Sequence, residues 1–482
     1  MNPFRRERLL NWRPYLLVGL WLAAWLLLCS GEALAGTGEL VEQFLATTVD
    51  GSDWVPILSV IPNVQPLGFA HHAVGGLLTL LFLLLLPIGR ALAATYYVRT
   101  GGNDGNSGTS AGNAWETFDK ATSSTSAGDV VYFGSGLYEE NVQPSVDGTN
   151  GSPIRFIGDT TGTFTGDPAG TITLESVDDG KNSIALEVDD DDYLEFEDIT
   201  ILSDNDEIVE WKNSVGGKLT NCELSDSKKG VAIEGSEVDF VSCTINNNSD
   251  KGMQIKNSST VTITDSTISS NSKSGIKVDD STVSILRCTF QNNGEHGLEL
   301  KEGNTSITNC LIIENGKAGI ELGKESATTA TLWHCTIADN DGCGVLSGTD
   351  GKGGPEGGDV TITSSIIADN KEFGLSLVGG TMTHTYNVVH GNTDGDYDGT
   401  AAGTGETSSD PLFVDPTNDD YLINIASPAY NSAVDSSGVI VDDLRSSPRP
   451  VNLKWDMGCY EVQPGEGGLS AGVRILRWVE TR

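Results

Sequence analysis

The sequence predicts an all-β solenoid, in which short strands form coils that stack on one another. The main observation is a repeat in which a glycine opens a strand of alternating apolar and polar residues, at intervals of 22, 23, 22, 22, 25 and 30 residues. These glycines are Gly230, Gly252, Gly275, Gly297, Gly319, Gly344 and Gly374. Because one such unit cannot bury its apolar side alone, the units are expected to stack.

A second observation is an asparagine four positions before every one of these glycines except the first. The six asparagines are Asn248, Asn271, Asn293, Asn315, Asn340 and Asn370. Stacking places equivalent residues about 4.8 Å apart, so that amide side chains in a turn can hydrogen-bond along the column. An asparagine at one fixed turn position resembles the right-handed parallel β-helix of pectate-lyase-like proteins. The resemblance implies that fold, with about 22 residues per coil in this chain.

A third column holds small residues nine positions before most of the glycines. It contains five cysteines interrupted by Ser266 and closed by Ser365, namely Cys222, Cys243, Cys288, Cys310 and Cys335. Interchange of Cys with Ser indicates a requirement for size, with cysteine acting as a small apolar residue. Parallel side chains rarely reach disulfide torsions, and the column lacks His or carboxylate partners for a metal. We therefore expect free thiols.

The first 93 residues contain two apolar runs. Residues 1–35 resemble a secretory signal, with basic residues, an apolar run and Ala33-Leu34-Ala35 as a cleavage pattern. Residues 36–93 form a linker and a second hydrophobic segment, residues 73–88, which is a signal or a membrane helix. Two helices retained in the membrane would leave the solenoid in the cytoplasm. A signal at the second run, or a stop-transfer segment, would place it outside. We expect export to the cell surface or medium, and anchoring through residues 73–88 is an open alternative.

Residues 94–153 are expected to form an N-terminal cap and the first coil. Strands are predicted at Thr95–Val98 and Asp129–Phe133, and a short amphipathic helix over Ala114–Thr122. The Asp-Val-Val-Tyr and Gly-Leu-Tyr-Glu stretches resemble the region that precedes many bacterial secreted β-helices. The solenoid itself is assigned to residues 154–395, and Tyr193–Ile201 is predicted to be one strand.

The C-terminal part of the chain departs from the repeat. Residues 395–409 are rich in Gly, Thr and Asp and are predicted to be flexible. Residues 396–462 contain Asp410-Pro-Leu-Phe-Val-Asp415 and Asp456-Met-Gly-Cys-Tyr-Glu461, and they resemble a choice-of-anchor Q module of bacterial surface β-helices. The resemblance implies a surface protein. Residues 463–482 form a tail.

The charge of the chain limits its partners. The formal net charge is −38, which argues against nucleic-acid phosphate and favours solubility or divalent cations. Four consecutive carboxylates, Asp189, Asp190, Asp191 and Asp192, are a candidate Ca²⁺ site. A solvated acidic turn is the competing interpretation, and no cofactor is required by the sequence.

Outward columns of the repeat carry the candidate site. Charges alternate along two of these columns, which pins the register of the coils. Glu299 and Glu321 break the alternation, with His296 nearby, and carboxyls about 5 Å apart suit a retaining glycosidase pair. Lys277, Lys301 and Lys317 are candidate substrate-binding residues that equally well neutralise the two glutamates.

One further histidine has a predicted position. His334 precedes a column cysteine and is expected to face solvent, as is Arg287 at the equivalent position two coils earlier.

Two classes of function follow. The first is an exported or cell-surface structural and binding module for polysaccharides or envelope polymers, expected to be a monomer. The second is a polysaccharide lyase or glycoside hydrolase that uses the outer surface of a parallel sheet, an alternative supported by fold analogy.

Overall fold

The computed structural model describes residues 93–178, 183–203, 206–323, 328–348, 357–436, 440–451 and 453–466. The signal-like segment 1–35, the second hydrophobic segment 73–88 and most of the tail lie outside these residues. All described residues belong to one compact unit, Ala91–Arg482. Within the described part of the chain, no helix is long and apolar enough to cross a membrane.

The described residues form a parallel β-helix built from three long sheets, which confirms the predicted fold class. Each strand pairs in parallel with the equivalent strand of the next coil, as in Thr262 with Ser284 and then Ser284 with Ser306. Sheet 1 consists of Thr95–Val98, Val130–Phe133, Ile154–Gly158, Leu194–Glu197, Gly217–Thr220, Glu237–Val241, Thr260–Thr264, Ser281–Leu286, Gly303–Thr308, Thr328–Trp333, Asp359–Thr363 and Thr381–Thr385.

The other two sheets follow the same order of coils. Sheet 2 consists of Gly136–Glu139, Ile172–Glu175, Thr200–Leu202, Glu223–Ser225, Thr244–Asn246, Thr267–Ser269, Thr289–Gln291, Leu311–Ile313, Thr336–Ala338, Ile366–Ala368 and Val388–His390. Sheet 3 consists of Leu186–Asp189, Glu207–Lys212, Gly230–Glu234, Met253–Lys256, Ile276–Val278, Leu298–Leu300, Ile320–Leu322, Val345–Ser347, Phe373–Leu377 and Gly395–Asp398.

A sharp bend joins sheet 1 to sheet 2 in each coil. One residue at the bend has a positive φ, for example Asp265 at 54° and Arg287 at 52°. The same bend at Asp198, with φ of 58°, divides the stretch 193–201 into Leu194–Glu197 and Thr200–Leu202. The prediction of one continuous strand there is therefore wrong: the buried residues are Leu194 and Phe196 before the bend and Ile199 and Ile201 after it, so the alternation changes phase at Asp198.

The asparagine ladder fixes the turn between sheet 2 and sheet 3. Each Nδ2 donates to the Oδ1 of the next asparagine at 2.9 Å, across sequence separations of 23, 22, 22, 25, 30 and 22 residues from Asn248 to Asn392. The ladder is buried throughout. Buried amides thus satisfy one another and hold the coils in register.

The inward cysteine column is confirmed. The seven described cysteines are buried and free of disulfides. Ser266 takes the same place in the column, where its Oγ accepts from the Cys243 N–H at 3.0 Å and donates to the Thr264 carbonyl at 2.9 Å. Size and a short-range hydrogen bond therefore explain the exchange of Cys with Ser.

A short helix caps the N-terminal end. It spans Phe118–Ser124, four residues later than the predicted start at Ala114, and a 3-10 turn occupies Ala111–Asn113. The helix begins there because the Thr117 side chain accepts from the Lys120 N–H at 3.0 Å. Phe118 stacks on Phe133 with ring centroids 3.8 Å apart, so the helix covers the apolar end of the solenoid.

The C-terminal segment, defined here as residues 410–466, folds back over the outer surface of sheet 2. Its antiparallel pair Phe413–Asp415 and Asp420–Ile423 brings Tyr421 onto Leu311, Ile313 and Ala338. Met457 and Ala429 pack with Ile366, Ala368 and Val388 in the same way. The last strand of sheet 3, Gly395–Asp398, still belongs to the solenoid, so the solenoid extends three residues past the predicted boundary at 395.

Polar contacts attach this segment to the bends between sheets 1 and 2. His334 is fully buried, with Nδ1 3.0 Å from the Asp456 carbonyl and Nε2 2.9 Å from Ser436 Oγ. The expectation that His334 faces solvent is wrong, because the C-terminal segment covers it. Arg287, also expected to face solvent, pairs with Asp442 at 3.1 Å.

Candidate functional site

Ion pairs between neighbouring coils form a ladder on the outer surface of sheet 3 and on the turn that leads into it. Lys256 Nζ lies 2.7 Å from Glu234, and Lys273 Nζ lies 2.7 Å from Asp250. Lys317 Nζ lies 3.3 Å from Glu295 one coil earlier. The alternating charges predicted from the sequence therefore form vertical pairs, and each stabilises one register of the coils by a fraction of a kcal/mol, about 0.2–1.

Glu299 and Glu321 are direct neighbours in sheet 3, as predicted. Glu299 is held by Lys301 Nζ at 2.9 Å, and its other oxygen accepts from Ser274 Oγ at 3.2 Å. Lys277 Nζ lies 4.0 Å away. Burial raises the pKa of Glu299, but the hydrogen bond and charge of Lys301 outweigh it and leave the pKa below its usual value. Glu299 is thus an ionised, paired carboxylate.

His296 lies beside the glutamate pair, with Nε2 3.2 Å from Glu321 Oε2. The residue is 8% exposed, and its Nδ1 has no hydrogen-bond partner among the described residues. Burial, assisted by the positive charge of Lys317, lowers the pKa of His296 to about 4. The imidazole is therefore neutral at pH 7.

These contacts decide what the cluster can do chemically. A retaining glycosidase needs one carboxylic acid with a raised pKa and one ionised carboxylate. The structure brings Glu299, Glu321, His296, Lys277 and Lys301 together, whereas Lys317 pairs with Glu295. Glu299, ionised and paired with Lys301, fits the salt-bridged patch; in a retaining pair it would be the ionised carboxylate, and Glu321 would have to be the acid.

Asp189 ends the strand Leu186–Asp189 of sheet 3, and Asp190, Asp191 and Asp192 follow it. Asp189 accepts from Asn213 Nδ2 at 3.2 Å, and Asp192 accepts from the Val215 N–H at 2.9 Å. Across the described ranges, no group of three or more His, Cys, Asp or Glu side chains converges as a metal site would require. The turn is built by hydrogen bonds to the next coil.

The outer surface of sheet 1 has a different chemistry, which the sequence analysis did not identify. We define the hydroxyl face as the three outward columns on six consecutive strands: Thr260, Thr262, Thr264, Thr282, Ser284, Leu286, Asn304, Ser306, Thr308, Thr329, Thr331, Trp333, Asp359, Thr361, Thr363, Thr381, Thr383 and Thr385. Asp359 is its one charged member, and Thr363, at the edge next to the bend, is its one buried member. The middle column, from Thr262 to Thr383, bears a hydroxyl in every coil.

The geometry of the hydroxyl face is regular. Hydroxyls repeat about every 4.8 Å from strand to strand and about 6.6 Å along a strand. Ser306 Oγ contacts Ser284 Oγ at 3.4 Å, and Thr381 Oγ1 donates to Asp359 at 2.6 Å. In the four preceding coils the middle column is charged, with Arg155, Glu195, Lys218 and Asp239 in register. The middle column therefore changes from charged residues to uncharged hydroxyl residues at Thr262.

Comparison with known proteins supports the fold. Residues 184–332 match the family model described as a right handed beta helix region. A search of curated proteins gives no match. The chain is similar to a solved structure of the pectate lyase Pel9A, with a TM-score of 0.52 and 14% identity over 77% of this chain and 97% of that one.

Two further solved structures resemble the chain. One is a rhamnogalacturonan lyase, with a TM-score of 0.44 and 14% identity over 66% of this chain and 85% of that one. The other is a complex of XylC with xylose, with a TM-score of 0.48 and 10% identity over 77% of this chain and 98% of that one. The chain is a right-handed parallel β-helix protein.

Proposed function

We propose that this is an exported or cell-surface β-helix protein that binds a polysaccharide or another envelope polymer as a structural module. The hydroxyl face is the observation that carries the proposal. Its side chains donate and accept hydrogen bonds, as sugar hydroxyls do, and its methyl groups offer small apolar contacts. Because these strands are fixed by their neighbours, binding requires little ordering of the backbone.

Charge supports the same assignment. The chain has a net charge of −38, but the hydroxyl face has only one carboxylate among its 18 residues. It therefore repels an acidic polymer less than the rest of the surface does. A linear polymer lying across the strands meets equivalent hydroxyls at each coil. The proposed ligand is therefore a polymer with a repeating, hydroxyl-rich surface.

Binding to insoluble polysaccharides tests the proposal. The purified protein is incubated with cellulose, chitin and peptidoglycan, and the bound fraction is measured by sedimentation. Thr331→Glu combined with Thr361→Glu places two charges in the middle column and is expected to weaken binding about tenfold or more. The matched control, Thr267→Glu with Thr289→Glu, places the same charges on neighbouring strands of sheet 2.

Equal binding by both double variants would contradict a role for the hydroxyl face. Absence of binding to all three polymers by the unmodified protein would contradict the polysaccharide assignment.

A second candidate function is a polysaccharide lyase or glycoside hydrolase on the outer surface of sheet 3, favoured by the adjacent Glu299 and Glu321. Incubation with acidic polysaccharides distinguishes it. New reducing ends or double-bond absorbance that disappear in Glu299→Gln would replace the binding proposal with catalysis. Binding without turnover supports the structural module.

Export is tested at the N-terminus of the mature protein. Cleavage after Ala93, giving a chain that starts at Ala94, supports secretion and excludes retention of residues 73–88 as an anchor. An intact N-terminus in a membrane fraction contradicts secretion.

A further inference from the structure

The last coil contains a hydroxyl, an imidazole and a carboxylate in series. His384 lies on the final strand of sheet 1, and its side chain is 3% exposed. Its Nε2 is 2.9 Å from Thr400 Oγ1, and its Nδ1 is 2.9 Å from Glu406 Oε1. This order of atoms is the one by which a base activates a nucleophile while a carboxylate orients the base.

The surroundings of Glu406 determine the direction of these hydrogen bonds. Its carboxylate accepts from Asn387 Nδ2 at 2.6 Å, from the Gly403 N–H at 2.8 Å and from Tyr397 Oη at 3.0 Å. Burial raises the pKa of Glu406, but the bonds to His384, Asn387 and Gly403 outweigh it and lower the pKa. An ionised carboxylate only accepts, so Nδ1 of His384 carries the proton. In the neutral imidazole, Nε2 then accepts from the Thr400 hydroxyl.

Glycines allow the loop that carries Thr400 and Glu406 to approach His384. A Cβ on Gly403 would lie 1.9 Å from the His384 carbonyl oxygen. Gly405 has a φ of +74° and lies against the ring of Tyr386, where a Cβ would be 2.6 Å from the ring. The segment 395–409, predicted to be flexible from its composition, is instead packed against the last strand of sheet 1.

Thr400 is accessible, although its two partners are not. It is half-buried, and the next two residues, Ala401 and Ala402, are exposed. Neither alanine N–H donates to an acceptor among the described residues. Backbone N–H groups directly after a nucleophile are the usual donors to the oxyanion of an acyl-transfer reaction.

We propose that Thr400, His384 and Glu406 form a hydrolytic centre for carboxylic esters. Thr400 Oγ1 attacks the ester carbonyl as its proton passes to His384 Nε2. The carbon–oxygen bond to the alcohol breaks, and the alcohol leaves with that proton. Water then attacks the acyl-threonine and gives a proton to His384 Nε2. The bond between the acyl carbon and Thr400 Oγ1 breaks, His384 returns the proton to Oγ1, and the carboxylic acid is released.

The substrate class follows from the position of the site. Thr400 is half-buried and is flanked in the chain by Gly399, Ala401 and Ala402, whose side chains are a hydrogen or a methyl group, so a small acyl group on an exposed hydroxyl can reach it. The methyl group of threonine crowds its own oxygen, and the hydroxyl of serine would be less hindered. The proposed substrates are small esters such as acetyl groups, and the inference does not depend on polymer binding.

Hydrolysis of p-nitrophenyl acetate and labelling by a fluorophosphonate test the inference in the purified full chain. Thr400→Ala is expected to lower hydrolysis by about 10²-fold or more and to abolish the label. Thr400→Ser is expected to retain or raise both. Thr404→Ala, an exposed threonine in the same loop, is the matched control and should leave both unchanged.

The role of Glu406 is a positioning one. Glu406→Gln is expected to reduce kcat by about 10²-fold or more while KM stays the same, because the wrong nitrogen of His384 then carries the proton. Mass spectrometry locates the label. A rate unchanged in Thr400→Ala, or a label at another residue, would show that the three side chains only close the end of the solenoid.

Discussion

The asparagine ladder provides a sharp test of what holds the coils in register. Asn315 lies in the middle of the ladder and is fully buried. Its Nδ2 donates to Asn340 Oδ1 at 2.9 Å, to the Ile313 carbonyl at 3.0 Å and to the Phe290 carbonyl at 3.2 Å. Its Oδ1 accepts from Asn293 Nδ2 at 2.9 Å and from the Asn293 N–H at 3.2 Å.

Asn315→Ala removes all of these side-chain bonds at once. The N–H of Asn293 loses its partner inside the protein, and a buried group without one costs about 1–3 kcal/mol. The Phe290 carbonyl and Asn340 Oδ1 each lose one hydrogen-bond donor but keep a backbone N–H. With a small further cost for the new cavity, we expect the coil to lose about 2–4 kcal/mol of stability.

Hydrogen exchange measures this loss locally, which suits a solenoid whose coils need not unfold together. The Asn293 amide should exchange about 10²-fold faster or more in Asn315→Ala. Asn304→Ala, at an exposed position of sheet 1, is the matched control and should change stability by less than about 0.5 kcal/mol. Equal protection of the Asn293 amide in both variants would refute a structural role for the ladder.

Two further predictions concern the buried column and the C-terminal segment. Cys310→Ser should cost less than about 1 kcal/mol of stability, because serine already occupies this column and Cys310 Sγ lies 3.2 Å from the Thr308 carbonyl. Cys310→Leu should cost about 1–3 kcal/mol by overpacking. Denaturant unfolding compares the two variants, and equal losses of stability would contradict the size requirement. Burial and the charge of Asp456 raise the pKa of Glu461 to about 7. The protonated carboxyl of Glu461 therefore favours the folded state below the ordinary pKa of glutamate, near 4.3, and this contribution to stability is lost as the pH rises through 7. Proteolysis of residues 410–466 should be about tenfold faster at pH 8 than at pH 5, and Glu461→Gln should reduce that difference; an unchanged difference would contradict the assignment.

The fold could be predicted from the sequence because its determinants are local and repeated. A glycine, an asparagine and a small inward residue recur in each coil. The structural role of each can be inferred from its position within a single repeat. The register of the coils followed from the same columns, including the neighbours Glu299 and Glu321.

The position of the C-terminal segment could not be predicted in this way, because its contacts join residues far apart in sequence. A signal was nevertheless present in sheet 2. Outward residues are Thr267 and Ser269, or Thr289 and Gln291, in the early coils, but Leu311 and Ile313 in a later coil. Apolar residues at outward positions predict a cover, and the burial of His334 follows from that cover.

The sequence predicted which residues of the candidate site are neighbours, apart from Lys317, which pairs with Glu295. The sequence places Glu299, Glu321 and His296 together, but the pKa of each group depends on burial and on which lysine reaches it. The group formed by Thr400, His384 and Glu406 was missed because a loop brings its members together and no repeat relates them. Two features of the sequence pointed to it: His384 is a polar residue at an inward position of a strand, and the loop that follows is rich in glycine, with Gly399, Gly403 and Gly405.

The C-terminal segment also alters how the solenoid comes apart and how it is completed. Most contacts of a coil are with the coil before and the coil after, so coils could detach one by one from the end. Arg287, Asn309 and His334 instead contact residues 155, 133 and 122 positions further along the chain. Contacts across so long a stretch of chain cost more loop-closure entropy than contacts between neighbouring coils. We therefore expect the C-terminal segment to dock after the coils that it covers and to slow the loss of coils from the end of the solenoid.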